Sequence, residues 1–184
     1  MPVPRPWQVL QSETLLDLAP WFRVIRQSVQ LPNGARMDDY FLTPARDYSM
    51  VAALTDPGEV LLVRQYKHGL GRVILDFPAG YLDSSAEDPL ACAQRELREE
   101  TGYVAQTWIP LGAWGIDSNR MPNVAHLFFA RGLTHVADLS LDHTEDLTVV
   151  AVPASQIPDL LRAGEMPTLA CAALWGLAAP YIFS

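Results

Sequence analysis

Apolar and polar residues alternate from Trp21 to Leu31, and the run ends in Pro32-Asn33-Gly34. A period of two places successive side chains on opposite faces of a strand, and Asn-Gly after it marks a turn. Tyr40 to Thr43 then reads as the second strand of a hairpin. Ser49–Leu54 and Val60–Tyr66 are two further apolar runs, with Asp56-Pro57-Gly58 as the turn between them. Val73–Phe77 is a short run stopped by Pro78. Trp108–Trp114, Val124–Ala130 and the β-branched stretch Leu147–Val152 complete the predicted strands.

One helix is marked at both ends. Asp88 suits the N-cap, Pro89 the first helical position and Gly102 the residue just past Thr101. Its apolar stripe is modest: Leu90, Ala93 or Gln94, and Leu97. A second helical region is predicted from Ala154 to Ala179, broken at Met166-Pro167. Strands interleaved with a few helices predict an α/β chain, a mixed sheet covered by helices. There is no internal repeat, low-complexity tract or long linker.

The chain has 184 residues, the size of one ordinary domain with a sizeable core. Hydrophobic residues make up 49%, yet no run approaches the roughly 18 needed to span a bilayer. No apolar leader follows Met1-Pro2-Val3-Pro4-Arg5, so a cytoplasmic address is expected. A net charge of -8 argues against nucleic acid as the main partner. It leaves room for an anionic small molecule held by a few cations or a divalent metal. Lys67 is the single lysine. Cys92 and Cys171 are expected to be reduced core residues.

The predicted helix carries an uncommon charge pattern. Residues four apart on a helix lie about 40° from one another around the axis, so Glu96 and Glu100 share a face and Glu99 borders it. Two such charges about 6 Å apart repel by roughly 3 kcal/mol at an effective dielectric of about 20. Their place near the negative end of the helix dipole adds to the strain. Arg95 and Arg98 offset part of it, and a hard divalent cation would offset it more directly. A solvated helix face with ordinary i,i+4 pairs would show the same residues. The apolar strand and Pro-Ala-Gly turn just upstream favour the metal reading, because they bring a backbone carbonyl to the acidic face.

From Gly80 to Tyr103 the sequence resembles the Nudix box. Glu87, then seven residues, then Arg95-Glu96-Leu97-Arg98-Glu99-Glu100-Thr101-Gly102 fits the pattern, and Tyr103 fills its last, bulky position. Six residues separate Gly80 from Glu87 where the pattern has five, a one-residue insertion within Asp83-Ser84-Ser85-Ala86. Leu62–His68, Leu75–Gly80 and the N-terminal strands from Trp21 to Tyr40 are similar to the ADP-ribose pyrophosphatase branch. The likeness runs from about residue 7 to 180.

The resemblance implies an α/β/α sandwich with a mixed sheet and an N-terminal β-hairpin region. It divides the chain into residues 1–45, N-terminal strands that serve dimerisation, and residues 46–184, the catalytic domain. It implies hydrolysis of the diphosphate linkage of a nucleoside diphosphate derivative, first of all ADP-ribose, with Mg²⁺ or Mn²⁺ as cofactor. Divalent ions neutralise the diphosphate charge, polarise phosphoryl oxygens and lower the pKa of a water. Glu96 and Glu100 would be metal ligands, Glu99 a ligand or the base, and the Ala79 carbonyl a further ligand. Gly80, Glu87, Arg95 and Gly102 would be structural, Arg95 through an ion pair that fixes the box.

A distal segment, Asp142-His143-Thr144-Glu145-Asp146-Leu147, matches one that supplies another ligand or the base. Glu145 aligns best with a ligand, and the base is open between Asp142, His143, Glu145 and Glu99. For substrate binding the resemblance favours Lys67, with Arg64 on the opposite face of the same strand and Arg46 and Arg120 weaker. Trp21 either stacks a base or belongs to the core or a dimer interface. His68, His126 and His135 have no ligand spacing. The implied partner is a second copy of the chain, with no membrane or nucleic acid involved. Two other readings share the box: a hydrolase of another nucleoside diphosphate sugar or dinucleotide, and a domain that binds a nucleotide without cleaving it.

Overall fold

The structure is a computed structural model and describes residues 3–141 and 143–183. The chain divides into two compact units. The first holds the described residues up to Arg46 together with Gly115–Val124, and the second holds the rest.

The first unit is built on three antiparallel strands in the order β1 (Gln8–Leu18), β2 (Phe22–Gln30), β3 (Arg36–Leu42). A sheet of three strands therefore stands where the sequence predicted a hairpin. Every residue of β1 is exposed, so no buried face imposes the apolar alternation that would have revealed it. Pairing of β1 with β2 shifts register at Val9/Gln11 and Thr14/Leu16. The predicted turn closes at Leu31–Gly34, where Gly34 N donates to Leu31 O at 2.9 Å. Thr43 N donates to Arg120 O at 2.8 Å, and the Tyr40 hydroxyl donates to Asn119 O.

In the second unit a mixed sheet runs in the order β10 (Leu147–Pro153), β5 (Glu59–Lys67), β4 (Tyr48–Leu54), β9 (Met121–His135), β8 (Tyr103–Asp117). Two short strands complete it: β6 (Arg72–Asp76) pairs with β5, and β7 (Ala79–Tyr81) pairs with β4. The β4–β9 pair is parallel, and β4 is antiparallel to β5 and β7. Strands β8 and β9 extend well beyond the predicted spans, because their outer halves lack an apolar pattern.

Alternation along β4 sorts its residues between two cores. Met50 and Ala52 join Val60, Leu62, Phe77 and Phe129 on one face, and α3 (Leu169–Ile182) covers them with Cys171, Leu174 and Trp175. Val51 and Ala53 join Leu61 and Phe128 on the other, covered by Ala93 and Leu97 of α1 (Pro89–Thr101). The layers are thus helix, sheet, helix. Burying a side chain such as Leu97 contributes about 1.5–3 kcal/mol. The predicted C-terminal helical region resolves into a short 3₁₀ turn, α2 (Ile157–Ala163) and α3, with the break at Met166-Pro167. Among the described residues no helix is long and apolar enough to cross a membrane.

Candidate active site

Helix α1 starts and stops where its sequence says. The Asp88 side chain accepts from Ala91 N at 3.3 Å, Pro89 occupies the first turn, and Gly102 takes the left-handed conformation at φ 76°. Such a cap is worth about 1 kcal/mol. Residues 93, 96, 97 and 100 lie on its inner side. Ala93 and Leu97 fill core space, which carries Glu96 and Glu100 inward with them. These two carboxylates are only 7% and 4% exposed, so the solvated-face reading does not hold for them.

The Ala79-Gly80 segment is fixed against this pair. It forms β7, with Gly80 opposite Ser49 and Ala79 opposite Met50. Ser49 Oγ donates to Pro89 O at 2.7 Å, tying β4 to the first turn of α1. Ala79 N donates to Glu100 Oε2 at 3.0 Å. A Cβ at position 80 would overlap the Glu96 carboxylate, so a side chain there would displace that carboxylate from its place beside the strand.

Arg95 organises the remaining groups. Its Nη1 donates to Glu96 Oε1 at 2.6 Å and Glu99 Oε2 at 3.3 Å, its Nε to Glu87 Oε1 at 3.4 Å, and its Nη2 to Tyr81 O at 3.1 Å. Glu87 Oε2 also accepts from Asp83 N at 2.5 Å, and Glu87 N donates to Ser84 O at 3.1 Å. The one-residue insertion is therefore closed into a loop that returns Glu87 to Arg95.

Electrostatics follow from burial and crowding. Burial pushes the Glu100 carboxyl up to about 8; the charges of Glu96 and Glu145 push the same way, while the Ala79 N–H and Lys67 pull against them. Burial also raises Glu96, with Glu99 and Glu145 adding to it and Arg95 opposing. Glu145 is exposed in the loop before β10, yet its field reaches both buried carboxylates. Lys67, at the end of β5, acts on Glu100 and on Asp76.

The structure thus brings together Ala79, Gly80, Glu87, Arg95, Glu96, Glu99 and Glu100, while the charge of Glu145 acts on Glu96 and Glu100 and that of Lys67 on Glu100. Gly102 closes the far end of α1. Arg64 is exposed, and nothing among the described residues links it to the box carboxylates. The same holds for His143, and Asp142 lies outside the described residues. Trp21 and Arg46 lie in the first unit, where the Arg46 guanidinium sits 5.7 Å from the centre of the indole ring. Trp21 is 78% exposed, so it is not a core residue of this chain.

Sequence reasoning gave no role to Asp76 and no polar partner to Cys171, which it read as a reduced core residue. The Cys171 thiol donates to Asp76 Oδ1 at 3.0 Å, and Asp76 Oδ1 also accepts from Phe77 N at 3.0 Å. Burial raises the Asp76 carboxyl against the pull of Cys171, Lys67 and Phe77. The available signal was a carboxylate inside the apolar run Val73–Phe77, where only a partnered charge survives. Both cysteines are free and buried, as expected.

As they stand, no three His, Cys, Asp or Glu side chains among the described residues converge enough to enclose a cation. Arg95 supplies the positive charge between Glu96 and Glu99 instead. The donor set nevertheless fits a hard divalent ion. Glu96, Glu99, Glu100 and Glu145 offer anionic oxygens, two of them buried with their charged forms disfavoured, a cost that a cation would offset.

Two family models match the chain: the NUDIX domain over residues 45–169 and the nucleoside diphosphate sugar hydrolase N-terminal domain over residues 7–42. An ADP-ribose pyrophosphatase of Mycobacterium tuberculosis is 31% identical over 169 residues, 87% of this chain and 77% of that protein. An ADP-ribose pyrophosphatase of Bacillus subtilis is 32% identical over 142 residues, covering 76% and 75%. A crystal structure of an ADP compounds hydrolase superposes with a TM-score of 0.87 over 99% of this chain and 97% of that one, at 23% identity, which speaks for the fold. With the box laid out on α1 as described, the chain belongs to the Nudix family of hydrolases, in its ADP-ribose pyrophosphatase-like branch.

Proposed function

We propose that the chain hydrolyses the diphosphate linkage of a nucleoside diphosphate derivative, with ADP-ribose as the first substrate to test and AMP and ribose 5-phosphate as products. The observation that carries this is the buried pair Glu96 and Glu100, pressed against Ala79-Gly80 within the field of Glu145. Mg²⁺, with Mn²⁺ as the alternative, would be held by Glu96, Glu100, Glu145 and the Ala79 carbonyl, with Glu99 as a further ligand. When bound, it supplies charge neutralisation at the diphosphate. Lys67 adds a positive charge beside the carboxylates for the same anion. In the first unit Trp21, with Arg46 over its ring, offers a flat cationic surface for a nucleoside base.

In the reaction a water oxygen bonds to one phosphorus and the bridging P–O bond breaks. Its electron pair leaves with the departing phosphate, and the water's proton passes to a carboxylate. In the distal loop Glu145 is read as a metal ligand rather than the proton acceptor, because its charge acts on both buried box carboxylates. Glu145→Gln should lower kcat with partial rescue by raised Mg²⁺, the mark of a ligand rather than a base. His143→Ala should cost less than about tenfold, below the 10²–10⁴ of a lost acid–base group. A loss beyond about a thousandfold in His143→Ala at unchanged metal affinity would make histidine the base.

The match of residues 7–42 to a nucleoside diphosphate sugar hydrolase domain favours a second reading, in which another nucleotide sugar is the better substrate. A panel of ADP-ribose, GDP-mannose, NADH and diadenosine compounds, read by phosphate release after phosphatase coupling, separates the two. AMP release from ADP-ribose with Mg²⁺ also eliminates a domain that binds without cleaving. No turnover of any of these would overturn the enzymatic reading.

Residues 1–45 are proposed as a dimerisation region that also serves the substrate site. Supporting this, Val9, Leu10, Leu15, Leu16 and Leu18 of β1 are all at least 41% exposed. A strictly monomeric mass in solution, with activity indifferent to dilution, would remove the dimer.

A further inference from the structure

The turn that carries Ala79 to the box helix is held residue by residue. Phe77 N donates to Asp76 Oδ1 at 3.0 Å. Pro78 has no amide to donate, and its carbonyl accepts from Val51 N at 3.0 Å. Ala79 N donates to Glu100 Oε2 at 3.0 Å, and Ala79 pairs with Met50 of β4. The turn therefore runs from one carboxyl group to another, Asp76 at its start and Glu100 at its end. A single proline of fixed φ stands between the two amides.

The start of the turn is tied to the opposite helix layer. Cys171, in the first turn of α3, donates its thiol to the same Asp76 Oδ1 at 3.0 Å. Thr168 Oγ1 accepts from Cys171 N at 3.2 Å and so fixes the turn that bears the thiol. Beside Asp76, Leu75 N donates to Glu165 O at 2.9 Å, in the segment that leads into α3. Asp76 and Cys171 are both buried. Val73, Ile74, Leu75 and Phe77 around Asp76 are apolar, so packing alone would be served better by one more apolar side chain. What the carboxyl group adds is direction: it joins a donor on α3 to the amide that begins the turn.

We propose that Asp76 and Cys171 are positioning residues for the contact between Ala79 and Glu100: the thiol of α3 holds the Asp76 carboxyl group, which holds the Phe77 amide, and the Pro78 turn sets the Ala79 amide on Glu100. This rests on the reading above that Glu100 and the Ala79 carbonyl hold the metal. Helix α3 then acts on the metal site from the far side of the sheet. Loss of the Cys171 donor should loosen the Ala79 amide and weaken the ion, while leaving the hydrolytic groups in place.

The test measures Mn²⁺ affinity in the full chain without substrate, from the electron paramagnetic resonance of the free ion, and Ala79 amide exchange by NMR. Cys171→Ala removes the donor, and Cys171→Ser, which keeps one, is its conservative partner. Asp76→Ala removes the acceptor, and Asp76→Asn keeps it. The two alanine variants should each weaken Mn²⁺ binding by about tenfold, and the two conservative ones by less than about threefold. The double alanine variant should lose no more than either single one, because both act through one hydrogen bond. Exchange at Ala79 in the metal-free protein should rise in the alanine variants and stay near wild type in the others. At saturating Mn²⁺, kcat for ADP-ribose should fall by less than about threefold in Cys171→Ala. Leu174→Val controls for mere softening. It trims the same buried layer with no polar link to Asp76, so it should lower the melting temperature and leave Mn²⁺ affinity unchanged. Wild-type Mn²⁺ affinity in Cys171→Ala, additive losses in the double variant, or an equal loss in Leu174→Val overturns the positioning role. If Asp76→Ala does not fold, the two cysteine variants and Leu174→Val decide alone. Unchanged Mn²⁺ affinity in Glu100→Gln removes the metal reading itself, and the proposal with it.

Discussion

Glu100→Gln is expected to lower kcat by about a thousandfold or more, roughly 4 kcal/mol of transition-state stabilisation, while making the metal-free protein more stable at pH 8. The opposite signs share one cause. Glu100 is 4% exposed and its carboxyl is pushed up to about 8, first by burial and then by the charges of Glu96 and Glu145. In the unfolded chain the same group titrates near 4.5. Folding therefore favours the protonated form. The stability this group contributes is fully present below pH 4.5 and is lost as pH rises toward and through 8.

Glutamine stays neutral across that range and still offers an oxygen to the Ala79 N–H. In EDTA the wild-type melting temperature should fall relative to the variant between pH 5 and pH 8, by on the order of 5–10 °C. Thermal melts of both proteins at several pH values check this. A variant that melts below wild type at pH 8, or one that keeps wild-type kcat, would place the anionic site elsewhere.

Removing divalent metal should abolish activity altogether. In EDTA the hydrolysis of ADP-ribose should fall to background and return with Mg²⁺ or Mn²⁺. The carboxylates of Glu96, Glu99, Glu100 and Glu145 gather with Arg95 and Lys67 as the cations near them. An anionic diphosphate brought there without an added cation meets net repulsion. Metal should also stabilise the fold, by about 3 kcal/mol or roughly 5–10 °C at a hundredfold excess over its Kd. The gain should be larger at pH 8 than at pH 5.5, because protons must leave Glu96 and Glu100 before the ion enters. Full activity in EDTA, or a melting temperature indifferent to Mg²⁺ at both pH values, would refute the metal-dependent reading.

Helix α1 was legible because its ends are set by local chemistry: Asp88, Pro89 and Gly102 act on their immediate neighbours. The spacing of Glu96, Glu99 and Glu100 was legible for the same reason, since helical geometry alone decides which of them share a face. What escaped is non-local. Strand β1 has no buried side, so its pairing left no period in Gln8–Leu18. Asp76 and Cys171 are 95 residues apart, and no local pattern joins them. The Ser140 amide donates to Glu99 O, a link between backbone atoms that leaves no trace in residue identity. Strand alternation put Lys67 and Arg64 on opposite faces, and the charge of Lys67 acts on Glu100.

The two cysteines, both 0% exposed, give the chain a built-in clock. A thiol reagent reaches sulfur only after the surrounding structure opens, so its labelling rate under native conditions counts openings rather than collisions. Cys92 sits on the box helix, with its sulfur 3.5 Å from Gly80 O, and reports when α1 parts from β7. Cys171 belongs to α3 on the opposite side of the sheet and reports when that layer lifts. Because the two thiols lie in different layers, the chain's own sulfur chemistry distinguishes a local breath at the carboxylates from the loss of the whole fold.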